Sequence, residues 1–389
     1  MSETGTSEVF SRALRANPRY ELVLFDRLPA GERRALADLA GEPGFYGVLR
    51  PREAGELAVR SVDRDTALLF LTLREPGPLP SYARGLLGEA AGRTVTRLIA
   101  DDILEIEEGD AFLSGAAALV RLQGEAGEVG SGRLAVLSLA ALRHAQALPT
   151  DDVQRLSWSL YAFNRRPLTP GWQRTLASAE AVERHLGIDP GGANRQRLDR
   201  AWTPLATEGW LSWMTRGRAG ARSSGSTSTY KLYVSPAPEA LAQGFGAILD
   251  ALAAARAFQF KIGRDALGLL RPDKIVAYFH GFDALAQAAG VVRERLGDIA
   301  VQGVPFTSGI GEDGLLSWGV DPPRGERASA GSGESWRLWL ARRLARSLLA
   351  ARSQAGEGVE PWRFALERLR LEGVDTTTWT PGSLLWRED

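Results

Sequence analysis

The chain has 389 residues, and its 47 Lys plus Arg balance 47 Asp plus Glu, so no global field draws it to nucleic acid or to an anionic membrane. It contains no cysteine, which excludes disulfides, thiol catalysis and thiolate metal sites. Its three histidines, His144, His185 and His280, are too far apart for a paired metal motif.

The opening residues, MSETGTSEVFSRALRANPRY, lack the basic and apolar regions of a signal peptide. No apolar run approaches the about 20 residues needed to span a bilayer. A cytoplasmic protein is expected, with no membrane and no nucleic acid among its partners. All tryptophans lie at or after Trp158, and this shift predicts two units joined near Ala147–Asp152. Residues 1–150 form an accessory domain in this reading, and residues 151–389 form the main domain.

In the accessory domain, Asp65 is placed to cap a helix over TALLFLTLRE, which stops at Pro76-Gly77. Further helices are predicted over SYARGLLGEA and VTRLIAD. ILEIE then reads as a strand, EEGD as a turn and AFLSG as a return strand. This layout resembles the small winged-helix domains that grip leader peptides in ribosomal-peptide pathways. The alternative is an ordinary α/β packing module with no peptide groove.

The main domain begins with helices over LSWSLYAFNRR and ASAEAVERHLG. Two stretches rich in Gly, Ser and Arg, Thr215–Thr229 and Ser308–Gly333, read as loops. Strands are predicted over YKLYV (230–234), FQFKI (258–262) and KIVAYFH (274–280), and IAVQGVPFT reads as a further strand. Amphipathic helices are predicted from Pro238, over FDALAQAAGVVRERLG and over Glu334–Arg352. The expected fold class is α+β, with a largely antiparallel central sheet flanked by helices and a smaller N-terminal α/β domain.

Side chains alternate across a strand. Lys231 and Tyr233 therefore share a face, as do Gln259 and Lys261, and as do Lys274, Val276, Tyr278 and His280. If the three strands are neighbours, these faces merge into one cationic surface that holds Lys, Tyr and His and no carboxylate, and it suits an anionic ligand. The alternative is a solvated sheet face.

The segments YKLYV, FQFKIGRD, RPDKIVAYF and SWRLWLARRLA, in this order, resemble the phosphothreonine lyase superfamily. That superfamily includes secreted bacterial effectors and the lyases that dehydrate precursor peptides in class V lanthipeptide and thioamitide biosynthesis. The resemblance runs from Leu156 to Trp386 and is strongest from Thr229 to Ala345. It implies a carbon–oxygen lyase that removes phosphate from a phosphoserine or phosphothreonine by β-elimination, leaving a dehydroamino acid. No metal and no cofactor are implied. The partners it implies are a phosphorylated precursor peptide and a separate kinase-like protein, since the chain carries no kinase signature.

Residue by residue, the resemblance makes Lys261 the base that takes the Cα proton and Lys231 a phosphate-side cation. Arg271, Tyr278 and Arg337 contact phosphate and backbone. Tyr233 stands where the family pattern has its histidine acid, and His280 is the substitute candidate. A catalytically impaired phosphopeptide-binding subunit and an effector acting on a host phosphoprotein are the alternatives.

Three other signals are discounted. Gly309 to Gly314 spells G-x-G-x-x-G, but no helix can start cleanly after it, so it reads as a substrate loop or linker. Glu105, Glu107 and Glu108 read as a solvated strand and turn. The arginines of Arg342–Arg346 read as a solvated helix face.

Overall fold

The computed structural model describes residues 9–37, 44–53, 57–123, 130–216, 229–322, 334–353 and 360–382. The chain divides into two compact units, residues 1–127 with 346–372 and residues 128–345 with 373–389. The break expected near Ala147–Asp152 falls inside the second unit, because the helix Arg133–Ala147 packs on the helix Val153–Ala162.

Among its described residues the first unit holds two antiparallel three-stranded sheets. One orders β1 (Leu14–Ala16), β5 (Leu104–Glu108) and β6 (Ala111–Leu113), and the other orders β2 (Tyr20–Leu24), β3 (Phe45–Pro51) and β4 (Arg60–Asp63). Helices Arg64–Thr72, Ser81–Leu87 and Ala91–Ala100 precede the β5–β6 hairpin, in the expected order. The first of these is capped by Asp63 rather than Asp65: the Asp63 carboxylate accepts a hydrogen bond from the Thr66 N–H at 2.8 Å. Leu14, Leu49, Val95, Ile99 and Leu104 are buried in one core. Each such side chain contributes about 1.5–3 kcal/mol through burial. Glu105 is not solvated as expected; it is buried and paired with Arg15 at 2.6 Å.

The second unit is built on a seven-stranded antiparallel sheet of order β12-β13-β9-β11-β10-β8-β7. Its strands are β7 (Trp202–Leu205), β8 (Trp210–Thr215), β9 (Tyr230–Val234), β10 (Gln259–Gly263), β11 (Ile275–Phe279), β12 (Ser308–Ile310) and β13 (Leu316–Val320). A short pair, β14 (Val374–Asp375) with β15 (Thr380–Pro381), also belongs to this unit.

One sheet face is apolar. Leu232, Val234, Phe260, Ile262, Ile275 and Ala277 bury it against Leu241, Phe245 and Leu249 of the helix Pro238–Ala254 and Leu285 and Val292 of the helix Phe282–Leu296. Trp202 and Trp213 close it at the β7–β8 end by packing on Phe260, with ring centroids 4.7 and 5.0 Å away. The α+β architecture is therefore the expected one, with helices flanking a central antiparallel sheet.

Two expectations fail here. Residues 308–320 are not a loop but the β12–β13 hairpin, and the turn is made by Gly311 and Gly314 at φ 79° and 77°, where glycine alone is unstrained. Alternating Leu316, Trp318 and Val320 then carry β13 into the sheet. IAVQGVPFT is not a strand; it is a mostly buried irregular segment with a single bridge, Pro236 to Val301. Residues 217–228 and 323–333 of the two expected loops lie outside the described residues.

β10 ends in a close backbone approach. A Cβ on Gly263 would lie 2.3 Å from the Gly268 carbonyl carbon, so glycine is required where the strand folds back on the turn Ala266–Leu269.

Candidate active site

β9, β11 and β10 are adjacent, as a merged polar face requires. Tyr278 is opposite Lys231 on one side and Gln259 on the other, and Val276 is opposite Tyr233 and Lys261. Two rows cross the face that turns away from the apolar core. One is Gln259–Tyr278–Lys231, and the other is Lys261–Val276–Tyr233.

Lys261 is half-buried, and aromatic rings hold it. Its Nζ lies 4.1 Å from the Trp210 ring centroid and 5.8 Å from that of Tyr278. Trp210 reaches it from β8, where it is opposite Gly263. Among the described residues no carboxylate pairs with Lys261. Burial first, then the positive charge of Lys231, lowers its pKa from 10.5 to about 8. A lysine in this state supplies free amine near neutral pH.

Lys231 is buried, ion-paired with Asp321, and 5.5 Å from the Tyr278 ring. Arg271 lies just before β11. Its Nε and Nη2 donate to the two Asp273 oxygens at 2.8 Å each, and Nη2 also donates to the Tyr161 hydroxyl at 2.9 Å. The same guanidinium lies 5.3 Å from the Tyr161 ring and 5.0 Å from Trp210.

Arg337 is 1% exposed and donates to the carbonyls of Pro305 at 3.0 Å and Tyr161 at 2.9 Å. Its Nη1 is 2.7 Å from Asp273 Oδ2 but is not aligned for a hydrogen bond, so the contact is ionic rather than directional. Burial alone would raise the Asp273 pKa; Arg337 and Arg271 outweigh it and hold the carboxyl well below its ordinary value. Arg271 is affected in the opposite sense. Burial opposes its charge, but Asp273 and then Tyr161 raise its pKa above the ordinary value.

The expected carboxylate-free face is therefore corrected. Asp273 and Asp321 are built into the site, each neutralising part of the cation cluster. Sequence reasoning also missed Tyr161, which lies in the helix Val153–Ala162 and donates to Asp273 at 3.2 Å. The signal available was Asp273 inside R-P-D-K, flanked by two cations. Nothing local announced Tyr161, which is 112 residues from Asp273.

Lys274 is withdrawn from the face. It is fully buried, and its Nζ donates to the Pro236 carbonyl at 2.8 Å and to Gln302 Oε1 at 2.6 Å. Burial lowers its pKa to about 7. Gln302 in turn donates to the carbonyls of Asn164 at 2.6 Å and Leu270 at 3.1 Å. This polar core ties residues 164, 236, 270 and 302 together behind Arg271 and Asp273.

Tyr233 and Tyr278 lie on the polar face. Burial raises both hydroxyl pKa values, that of Tyr233 well above its ordinary value, so both stay protonated at neutral pH. His280 lies one residue beyond the end of β11; it is exposed and stacks on Phe258 at 4.1 Å. A separate groove of about 730 Å³ runs past Gly132, Ser308, Glu312 and Thr378 and includes none of these side chains. Among the described residues no group of three or more His, Asp or Glu is placed to hold a metal, and no helix is long and apolar enough to cross a membrane.

No protein-family model matches the chain, and no curated protein matches it. Solved structures do. An effector protein from Pseudomonas syringae pv. tomato strain DC3000 is 11% identical, with a TM-score of 0.38 over 63% of this chain and 96% of that one. The type III effector/phosphothreonine lyase OspF from Shigella flexneri is 15% identical, with a TM-score of 0.26 over 31% of this chain and 69% of that one. The Chromobacterium violaceum VirA (SpvC) phosphothreonine lyase effector is 12% identical, with a TM-score of 0.25 over 40% of this chain and 78% of that one. At these identities and TM-scores the likeness carries no weight for the chemistry of the site.

Proposed function

We propose that the chain is a phosphoserine or phosphothreonine lyase acting by β-elimination. The observation that carries this reading is Lys261: an amine with a pKa of about 8, held by rings instead of a carboxylate, on one sheet face with Lys231 and sharing the Trp210 ring with Arg271, which lies just before β11. A Cα–H next to an amide is a weak acid, so its base must be neutral and well aimed. The developing enolate and the departing phosphate are both anionic, and the same cations stabilise both.

In the step proposed, the Lys261 amine takes the Cα proton. The C–H electron pair becomes the Cα=Cβ bond, and the Cβ–O bond breaks. A protonated tyrosine, Tyr233 or Tyr278, delivers its proton to the bridging oxygen, so phosphate leaves as hydrogen phosphate rather than the trianion. Lys231 and Arg271 hold the phosphate, each exchanging part of its contact with Asp321 or Asp273 for the ligand. Arg337 fixes Asp273 and Tyr161 from behind. The substrate within this reading is a ribosomal precursor peptide phosphorylated by a separate kinase, with the first unit as the leader-peptide or kinase contact. These finer points rest on the sequence resemblance.

One observation favours a second reading, phosphopeptide binding without turnover. The place of the family's acidic histidine is taken by a buried tyrosine whose proton is held tightly. Incubation with a synthetic phosphothreonine peptide, followed by mass, separates the two. Loss of phosphoric acid is expected, and Lys261→Ala should slow it by about 100–10,000-fold, the usual value of a general base. Return of the plain hydroxyl, or a Lys261→Ala rate equal to wild type, would sink the lyase reading.

A further inference from the structure

Trp158 is 51% exposed and is the one tryptophan among the large apolar side chains left in solvent in the described residues. A half-exposed indole leaves on the order of 100 Å² of ring in water. Its position relates it to the site. Trp158 and Tyr161 are three apart on the helix Val153–Ala162 and so share a face, and their rings meet edge to face at 5.5 Å.

Tyr161 is the ring beneath Arg271, and it hydrogen-bonds both Arg271 and Asp273. From there rings and cations alternate across the sheet: Arg271 over Trp210 at 5.0 Å, Lys261 over Trp210 at 4.1 Å and near Tyr278 at 5.8 Å, and Lys231 over Tyr278 at 5.5 Å. Trp158 is the outer end of this ladder. Among the described residues no cation of the protein covers it.

We infer that Trp158 is a substrate subsite that takes an apolar or aromatic side chain one or two residues from the phosphoresidue. This rests on the lyase reading of the cation row. An extended peptide advances about 3.3 Å per residue. With its phosphate at Arg271 and Lys231, its next residues pass within reach of the helix that carries Tyr161 and Trp158.

The charge nearby selects among side chains. The exposed Arg165 and Arg166 lie three and four residues past the end of this helix, and the Arg166 N–H donates to the Leu270 carbonyl at 3.0 Å, which brings the segment beside Arg271. A basic flank would meet repulsion there, whereas an apolar side chain covers the indole without cost.

Two readouts test this with phosphothreonine peptides that differ in one flanking residue, Phe, Gly or Lys. Phosphate release gives KM and kcat, and fluorescence anisotropy of labelled peptides on the Lys261→Ala protein gives affinity without turnover. The Phe peptide is expected to bind about 10-fold tighter than the Gly peptide, the scale of one aromatic pair. Trp158→Ala should bring that ratio to about one, acting on KM rather than kcat, and Trp158→Phe should restore most of it. A ratio near one in the wild type, or an unchanged ratio in Trp158→Ala, overturns the subsite. The lyase reading fails separately: a Trp158-dependent preference in anisotropy, together with no phosphate released by the protein with Lys261 intact, keeps the subsite and removes the lyase.

Discussion

If Lys261 is the base, activity must follow the fraction of that lysine that is free amine. With a pKa of about 8, about 1% is free at pH 6, about 9% at pH 7 and half at pH 8. kcat/KM reports groups of the free enzyme. It should therefore rise about 50-fold from pH 6 to pH 8 and level off above, while an unperturbed lysine would keep rising past pH 10. At pH 7 the lowered pKa makes the amine about 300-fold more available than in an ordinary lysine.

Burial contributes most to this shift and Lys231 contributes next, so Lys231→Met should move the inflection upward as well as weaken phosphate binding. The assay is initial phosphate release from a phosphothreonine peptide at low substrate between pH 6 and 10. The substrate's own second ionisation near pH 6 is measured separately by NMR. A flat profile between pH 6.5 and 9, or an inflection that Lys231→Met leaves in place, would refute the assignment of Lys261 and of its coupling to Lys231.

Two further predictions concern stability. Asp273→Asn leaves the buried Arg337 and the half-buried Arg271 without their carboxylate, which should cost about 3–5 kcal/mol in urea denaturation. Because the Asp273 pKa is depressed, its contribution is full above about pH 4 and is lost as pH falls below that. The variant should therefore show a shallower acid loss than wild type, and equal acid profiles would count against the triad.

Lys274 titrates in the other sense. Its folded pKa of about 7 lies below the unfolded value, so the unfolded chain binds the extra proton between about pH 7 and 10 and stability rises across that window by up to about 1.4 kcal/mol per pH unit. Lys261 adds a slope of the same sign above about pH 8. Lys274→Met should flatten the rise between pH 7 and 8, where Lys274 dominates, and should leave Pro236 and Gln302 without their donor at a cost of about 1–3 kcal/mol. Parallel slopes in the two proteins over that range would show that Lys274 is not the titrating group.

What the sequence revealed about the site was periodic. YKLYV, FQFKI and IVAYF alternate cleanly because one face of each packs on helices, and that requirement writes apolar residues at every second position. That pattern put Lys231, Lys261 and Tyr278 on the polar face of their own strands; that the three faces are one surface depended on strand adjacency, which alternation does not encode. Residues outside the alternation were not legible. Asp273 and Asp321 lie just beyond strand ends, and Tyr161 comes from a helix more than 100 residues away. Lys274 keeps the parity of the polar face, yet residues 236 and 302 cover it, which no strand pattern encodes.

The same limit applies to the β12–β13 hairpin. Its glycines looked like a linker because composition does not separate a flexible run from one with two left-handed turn residues. β7 and β8 were missed because their tryptophans are divided between two faces: Trp202 and Trp213 pack on Phe260 in the core, while Trp210 lies against Lys261 and Arg271, so apolar character does not alternate with polar along β8.

Under the proposed lyase reading, the Lys231–Asp321 pair bears on how the site would let go of phosphate. A cation that binds phosphate with no other partner must be left bare when phosphate leaves, and a bare buried ammonium is costly. Asp321 is already paired with Lys231, and Asp273 with Arg271, so in the proposed reaction the departure of phosphate would be an exchange of one anion for another. Such a site gives up some affinity for free phosphate and gains speed of emptying, which is what a catalyst releasing an inorganic dianion into a phosphate-containing solution requires to keep turning over.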